Sequence, residues 1–151
     1  MKLLYGHSQT VARFVAERIP QVRAHGFGEC QAIGVIDAEG WLVGGMVFHH
    51  WWPETGTIEF SGAADTPRWL TRGILDELFG YAFDKVGAQL LVTRNSARNL
   101  RLHQQLARYG FERFDIPRLL GRDEGGVLWT LTQEAYRAGR FHVQAQDANA
   151  A

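Results

Sequence analysis

Two titratable side chains stand where the sequence could use them as an acid or a base. Glu59 alternates with Ile58 and Phe60 in a strand-like run, so its carboxylate faces away from both apolar side chains. His103 lies in a segment with helical spacing of apolar residues. A positioned carboxylate or imidazole can take a proton from a nucleophile. Each also has a structural interpretation: an exposed or arginine-paired carboxylate for Glu59, and a partly exposed helix histidine for His103.

The run His49-His50-Trp51-Trp52 combines two imidazoles with two indoles. Imidazoles are frequent metal ligands, but neighbouring strand residues point to opposite faces and the pattern offers no third ligand. We therefore expect no metal here. Trp51 and Trp52 could line a pocket on one face of the strand and join the core on the other.

A helix start is predicted at Thr66-Pro67, because threonine caps exposed amides and proline fits the first helical position. The unpaired amides of such a helix end attract anions, and Arg68 and Arg72 add positive side chains. The alternative is an ordinary capped amphipathic helix with exposed arginines. Seven arginines between residues 94 and 122, against two acids, add a second cationic stretch, most of which we expect to be a solvated face.

The elements that position these residues alternate between strands and helices. Strands are predicted at residues 2–5, 31–37, 41–52, 57–61, 89–93, 111–117 and 127–132, and helices at 11–19, 66–87 and 97–109. The strand-helix order between residues 57 and 109 requires one parallel strand pair, while the hairpins on either side are antiparallel. The pattern predicts a mixed α/β sheet in one domain, residues 1–138, followed by a patternless tail, residues 139–151.

Composition excludes several classes of protein. The chain has 151 residues, with sixteen basic and sixteen acidic side chains, so its overall charge favours neither nucleic acid nor an anionic membrane. Its single cysteine, Cys30, cannot form an intrachain disulfide, and no apolar run approaches the roughly 20 residues of a membrane helix. We expect a cytoplasmic, soluble protein.

The segment 57–111 resembles the GCN5-related N-acetyltransferase superfamily, in which a strand leads into a phosphate-binding loop and helix, a second strand, and a helix that ends in Gly-Phe. The matching stretches are Ile58-Glu59-Phe60-Ser61, residues 66–73, Leu90-Leu91-Val92-Thr93, and Asn99 to Tyr109-Gly110-Phe111. Tyr81-Ala82-Phe83, the spacing from Asn99 to Gly110, and Arg118 are similar to the branch of ribosomal-protein N-terminal acetyltransferases and their phage-borne relatives. The resemblance spans about residues 31–132.

The resemblance implies a mostly antiparallel twisted sheet, flanking helices, and one central parallel strand pair that splays around acetyl-CoA. The implied cofactor-binding residues are Phe60, Ser61, Gly62, Ala63, Arg68, Trp69, Leu70, Thr71, Arg72, Gly73 and Asn99. Trp69 and Thr71 stand where the family's loop has glycine and glycine or alanine, so this loop lacks both glycines.

The resemblance also implies roles near the acetyl group. Glu59 is the candidate base and His103 a second catalytic candidate, because the family's serine and tyrosine positions are Leu102 and Leu106 here. Trp51 and Trp52 are the candidates for the acceptor pocket.

Together these features predict an acetyl-CoA-dependent N-acetyltransferase without metal. The acetyl group passes by direct attack in a ternary complex to a primary amine, on a small molecule or a peptide N-terminus. No nucleic acid or membrane partner is expected, and a homodimer stays open. Two alternatives remain. One is a catalytically weak or inactive acyl-CoA-binding module, favoured by the missing loop glycines. The other is an interaction domain that uses the arginine-rich segment.

Overall fold

Seven strands form one mixed sheet in a computed structural model, which describes residues 1–139. The strands are β1 (Lys2–Leu4), β2 (Cys30–Ile36), β3 (Leu42–Trp52), β4 (Thr57–Ala64), β5 (Leu90–Ser96), β6 (Glu112–Gly121) and β7 (Glu124–Thr132). The helices are α1 (Ser8–Glu17), α2 (Arg72–Gly80), α3 (Leu100–Tyr109) and α4 (Gln133–Ala138), with a π-helical turn, Tyr81–Val86, directly after α2. The sheet order is β1-β2-β3-β4-β5-β7-β6. From residue 140 onward, the expected tail lies outside the described residues.

The parallel pair of the sheet is β4 with β5, and it separates after a short ladder. Pairing runs from Thr57 with Leu90 to Glu59 with Val92, after which β4 continues to Ala64 and β5 to Ser96 without pairing to each other. The remaining neighbouring strands are antiparallel. The predicted mixed sheet with a splayed central pair is therefore confirmed.

Apolar side chains cover both faces of the sheet. On one face, Val11 and Val15 of α1 pack with Ala32 and Val47. Gly45 permits this close approach, since a Cβ there would lie 2.6 Å from a Val11 methyl group. The other face carries the larger core, in which α2, α3 and the sheet share aromatic contacts such as Phe60 with Phe79, 5.4 Å apart.

Helix α2 begins five residues later than the predicted start at Thr66-Pro67. Its N-cap is Thr71, whose Oγ1 accepts a hydrogen bond from the amide of Ile74 at 3.3 Å. Thr66 caps only a local turn, accepting from the Arg68 amide at 3.4 Å. The intervening Trp69 packs on the sheet, where it meets the surfaces left open by Gly44 and Gly62. Because the indole must reach the sheet, residues 66–70 stay in a loop.

Helix α3 also begins later than predicted, because Ser96 remains in β5 and Asn99 occupies the N-cap position. The helix ends at Gly110, whose φ of +116° suits glycine. The short α4 was not anticipated by the sequence pattern. Among residues 1–139, no helix is long and apolar enough to cross a membrane.

Candidate functional site

The separation of β4 from β5 opens a cleft with a volume of about 1120 Å³. One wall is the end of β4, from Ser61 to Ala64, and the opposite wall is residues 94–96 of β5 together with the first turns of α3. The loop before α2 closes one end, and the segment 18–28 after α1 lies along the entrance. Beyond Glu59, the β4 edge that faces β5 has no strand partner, so its backbone groups face this cleft.

Glu59 lies at the point where the two strands separate, with a side chain 13% exposed. Its Oε1 forms an ion pair at 3.3 Å with Nε of Arg94, which lies on β5 two residues past the end of its pairing with β4. Its Oε2 lies 3.4 Å from Nδ1 of both His49 and His50. The sequence-predicted base is therefore in the cleft, and a buried carboxylate with one oxygen held by arginine presents the other to neighbouring groups.

His49 is the most enclosed polar group beside Glu59. It is 5% exposed, its Nε2 lies 2.9 Å from Ser61 Oγ, and the Phe27 ring packs against it with centroids 5.0 Å apart. Burial, opposed by Glu59 and reinforced by His50 and Arg94, lowers the pKa of His49 to about 4. The imidazole is consequently neutral at pH 7 and keeps a lone pair on one ring nitrogen.

His50 does not point away from His49, and the expectation that the two imidazoles lie on opposite faces is wrong. Their Nδ1 atoms are 2.8 Å apart. The physical reason is a β-bulge: between His49, which pairs with Glu59, and Trp52, which pairs with Thr57, strand β3 carries one extra residue. His50 takes a φ of +52°, which turns its ring back toward Glu59. Three potential metal ligands, His49, His50 and Glu59, thus converge, contrary to the reasoning behind the expected absence of metal.

The cofactor-binding residues predicted on β4 divide into two groups. Ser61, Gly62 and Ala63 line the cleft. The Phe60 side chain is buried in the core against Phe79, and Gly62 lies under the Trp69 indole, since a Cβ there would be 3.0 Å from the ring. Gly62 therefore makes room for Trp69, and only the backbone at Phe60 and Gly62 can face a ligand.

The predicted phosphate-binding residues lie around the start of α2. Trp69 and Leu70 line the cleft, while Arg68 lies outside its lining. Thr71, Arg72 and Gly73 form the exposed first turn of the helix, whose amides point away from the helix end. These three residues also lie outside the cleft lining, which reaches only Leu70 on this side. An anionic group would have to extend past Leu70 to meet these amides and the Arg72 guanidinium.

Asn99 lines the cleft from the start of α3, where its side chain makes no capping bond to the helix. Arg101 and Gln105 line the same wall two and six residues further along the chain. The structure therefore brings Asn99 to the cleft with Glu59, as the resemblance implied.

His103 lies in the core, 4% exposed, and is not among the residues that line the cleft. Trp129 Nε1 donates to its Nδ1 at 2.9 Å, and its Nε2 donates to the Ser96 carbonyl at 2.9 Å. Both ring nitrogens are thus engaged within the fold, so His103 has a structural position and not the predicted position beside the thioester.

Trp51 and Trp52 also lie apart from the main cleft. They are 37% and 60% exposed and line a neighbouring cavity of about 550 Å³. That cavity shares Phe27, His49 and His50 with the main cleft, so the two spaces adjoin at the histidine pair. The tryptophans can contact only a ligand that extends past His50.

Sequence reasoning missed the segment 18–28, Arg94 and Arg101. The segment 18–28 has no regular pattern, and its start is held by Arg18, which bonds both carboxylate oxygens of Asp65 at 2.7 and 2.9 Å. In the sequence, Arg94 is one of seven arginines between residues 94 and 122. Its alternation with Thr93 and Asn95 at the end of a predicted strand was the available signal that it faces Glu59.

No family model and no curated protein sequence matches this chain. Solved structures do share its fold. A chimera of the spermidine N-acetyltransferase SpeG from Vibrio cholerae with hSSAT has a TM-score of 0.73 at 12% identity, over 91% of this chain and 99% of that one. Mutant forms of the spermidine/spermine N-acetyltransferase SpeG from Vibrio cholerae give a TM-score of 0.66 at 15% identity, over 72% and 70% of the chains.

A dodecameric structure of spermidine N-acetyltransferase from Vibrio cholerae gives a TM-score of 0.62 at 15% identity, over 72% of this chain and 68% of that one. Likeness at these identities shows the fold, which is the one that the sequence resemblance implied. These structures lend no support to the ribosomal-protein and phage-borne branch, which stays a prediction. A homodimer of this chain stays a prediction as well.

Proposed function

We propose that this protein is an acetyl-CoA-dependent N-acetyltransferase that acts on a primary amine. The observation that carries the proposal is the position of Glu59. The carboxylate lies at the last paired residue of β4, where the sheet opens into the cleft, and it is 13% exposed. A ligand threaded between the two strands would present its reactive end to this carboxylate.

We place the pantetheine arm of acetyl-CoA between β4 and β5, because the β4 edge beyond Glu59 has backbone groups that are not paired with β5. We place the diphosphate at the first turn of α2, just past the cleft-lining residue Leu70, where the helix begins with Arg72. A helix N-terminus favours anions through its free amides and dipole, so the loop glycines of the family are not essential to this contact. Asn99 and Arg101 on α3 form the opposite wall.

The amine enters from the side of His49 and the segment 18–28. Its nitrogen lone pair attacks the thioester carbonyl carbon, and Glu59 Oε2 takes the amine proton directly or through water. The tetrahedral intermediate then collapses, the C–S bond breaks, and the CoA thiolate leaves and takes up a proton. Arg94 holds Oε1 at 3.3 Å, which keeps Oε2 turned toward the acceptor. Holding both reactants in this geometry supplies a large part of the rate.

We further propose that the acceptor has a neutral or anionic body and is not a polyamine. Among the described residues that line the cleft, Glu59 is the single acid, whereas three are arginines. Arg18 pairs with Asp65 and Arg94 with Glu59, so the positive charge left over is that of Arg101. A polycation such as spermidine, the substrate named for the structural neighbours, would meet repulsion here. Comparing kcat/KM for spermidine with that for an amino-acid amide or peptide N-terminus tests this, and a preference for spermidine would contradict it.

The catalytic role of Glu59 is tested with Glu59→Gln, which keeps the shape of the side chain and removes the base. Turnover should fall by about a hundredfold or more, while the acetyl-CoA Kd from calorimetry stays unchanged. Glu54→Gln, in the exposed turn between β3 and β4, is the matched control and should retain wild-type turnover. Equal activity of Glu59→Gln and Glu54→Gln would remove Glu59 from the mechanism.

A second candidate function is a non-catalytic acyl-CoA-binding module. The observation that favours it is Trp69, which stands in place of a loop glycine and fills the space over Gly44 and Gly62. Tight acetyl-CoA binding without release of free CoA across a panel of small amines and peptides would support this function over the enzyme.

A further inference from the structure

The two histidines and the carboxylate beside the cleft form a cluster that acid-base chemistry alone does not require. The three donor atoms are His49 Nδ1, His50 Nδ1 and Glu59 Oε2, and they lie 2.8, 3.4 and 3.4 Å from one another. We propose that these residues bind one divalent transition-metal ion, Zn²⁺ being the best match to two imidazoles and a carboxylate. The inference goes beyond the proposed acetyl transfer and does not depend on it.

The donor spacing matches a single ion. Ligands at about 2.0–2.2 Å from tetrahedral zinc lie about 3.3–3.5 Å from each other. The two distances from Glu59 Oε2 have this value already. The His49–His50 distance must widen by about half an ångström to reach it. His50, 68% exposed, has the room to move. Three protein ligands leave the fourth position open, toward the cleft that all three residues line.

Two of the ligands are oriented from outside the cluster. His49 Nε2 lies 2.9 Å from Ser61 Oγ, and Glu59 Oε1 pairs with Arg94 at 3.3 Å, so each presents its other donor atom to the centre. Metal-binding imidazoles and carboxylates in proteins are held in this way by a second ring of contacts. Arg94 contacts Glu59 Oε1, the oxygen farther from the two imidazoles, so Oε2 stays available as a metal ligand.

The third ligand is aimed by a backbone conformation that non-glycine residues seldom adopt. His50 has a φ of +52°, next to the bulge in β3. A regular strand would point this imidazole to the other face of the sheet. Sparsely populated conformations of this kind concentrate at functional sites, where the side chain they position has a use.

A bound ion and the proposed base use the same oxygen. Zn²⁺ on Glu59 Oε2 would occupy the lone pair that takes the acceptor's proton, so the metal-bound and base-active forms exclude each other. Zinc should therefore inhibit acetyl transfer with the same midpoint at which it binds.

The test uses the full chain without a histidine tag, freed of metal by a chelator and titrated with Zn²⁺ in a calorimeter. We expect one ion per chain. His50→Ala, which removes the exposed ligand, should weaken binding by more than about tenfold, and Ser61→Ala by about 10- to 100-fold. His7→Ala removes an exposed histidine outside the cluster and should bind zinc as the wild type does.

Cobalt(II) provides a second readout, since a tetrahedral site with nitrogen ligands gives intense visible absorption. Absence of saturable zinc binding to the wild type, or equal affinity in His50→Ala and His7→Ala, would overturn the proposal. Calorimetry of acetyl-CoA with the metal-free protein separates the two ideas. Cofactor binding without zinc binding would contradict only the proposed metal site. Zinc binding without cofactor binding would contradict only the proposed acetyltransferase function.

Discussion

Replacing His103 with leucine should destabilise the fold by about 2–4 kcal/mol and leave the chemical step intact. The magnitude follows from the two bonds of the imidazole. Trp129 Nε1 is buried and donates to His103 Nδ1, so leucine leaves that donor without its acceptor, at a cost of about 1–3 kcal/mol. The Ser96 carbonyl loses one bond of about 1 kcal/mol but keeps the Asn99 amide as a donor at 3.2 Å.

The assay is urea unfolding at neutral pH. With a slope of about 2 kcal/mol/M, the midpoint of His103→Leu should fall by roughly 1–2 M. Gln104→Ala, at the next and exposed position of α3, is the control and should stay within about 0.5 kcal/mol of the wild type. The Trp129→Phe variant already lacks the indole donor. In that background, His103→Leu should lower the free energy of unfolding by less than it does in the wild type, and the difference measures the Trp129–His103 hydrogen bond.

The opposite pattern would refute this reasoning. If His103→Leu unfolds at the wild-type urea concentration while turnover falls by orders of magnitude, the imidazole acts on the substrate. In that case the acid-base role predicted from the sequence would be restored.

Three further outcomes follow from local geometry. Thr71→Ala should lower the free energy of unfolding by about 1 kcal/mol, because the Ile74 amide loses its cap; an unchanged urea midpoint would show that the cap adds nothing. Gly62→Val places a side chain 3.0 Å from the Trp69 ring, so it should displace the indole and shift its fluorescence, and an unshifted spectrum would contradict that packing. Burial raises the pKa of Tyr136 from 10.0 to about 12. As the pH rises, the phenol loses its proton in the unfolded chain first, so the free energy of unfolding should fall between pH 10 and 12 by up to about 3 kcal/mol. This fall should be smaller in Tyr136→Phe. An equal fall in the wild type and in Tyr136→Phe would contradict the assignment.

The order of strands and helices was readable from the sequence because it depends on local periodicity. Alternating residues such as Ile58, Glu59 and Phe60 fix which side chains face the core, and a strand-helix-strand unit requires a parallel pair. The splayed pair and the position of Glu59 at its opening followed from these rules together with the family resemblance.

The helix start was less predictable because the choice between two caps is tertiary. Thr66 precedes proline and Thr71 precedes Arg72, and both threonines satisfy the local rules for an N-cap. The choice is made by Trp69, which packs over Gly44 of β3 and Gly62 of β4 and keeps the residues before Thr71 out of the helix. The residue types around Thr66 and Thr71 do not show that Trp69 packs on this part of the sheet, so they cannot decide which threonine caps the helix.

His50 and His103 lie where the sequence did not predict them, for two different reasons. His50 departs from strand alternation because of a bulge and a left-handed backbone, features that propensity does not encode. His103 is three residues before Leu106, so its place on the buried face of α3 could have been recognised from helical spacing. Its partner Trp129 lies 26 residues away, and only the folded sheet brings the two together.

We expect acetyl-CoA to bind in the cleft between β4 and β5 with its reactive end at Glu59. Titrating acetyl-CoA into the full chain by calorimetry tests it most directly, with Ala64→Trp, which fills the cleft wall of β4, and Gln104→Ala as the blocked and control variants. Saturable binding of one molecule per chain is expected in the wild type and in Gln104→Ala, and loss of binding is expected in Ala64→Trp. No heat of binding to the wild type at high-micromolar acetyl-CoA, or equal binding by Ala64→Trp, would contradict it.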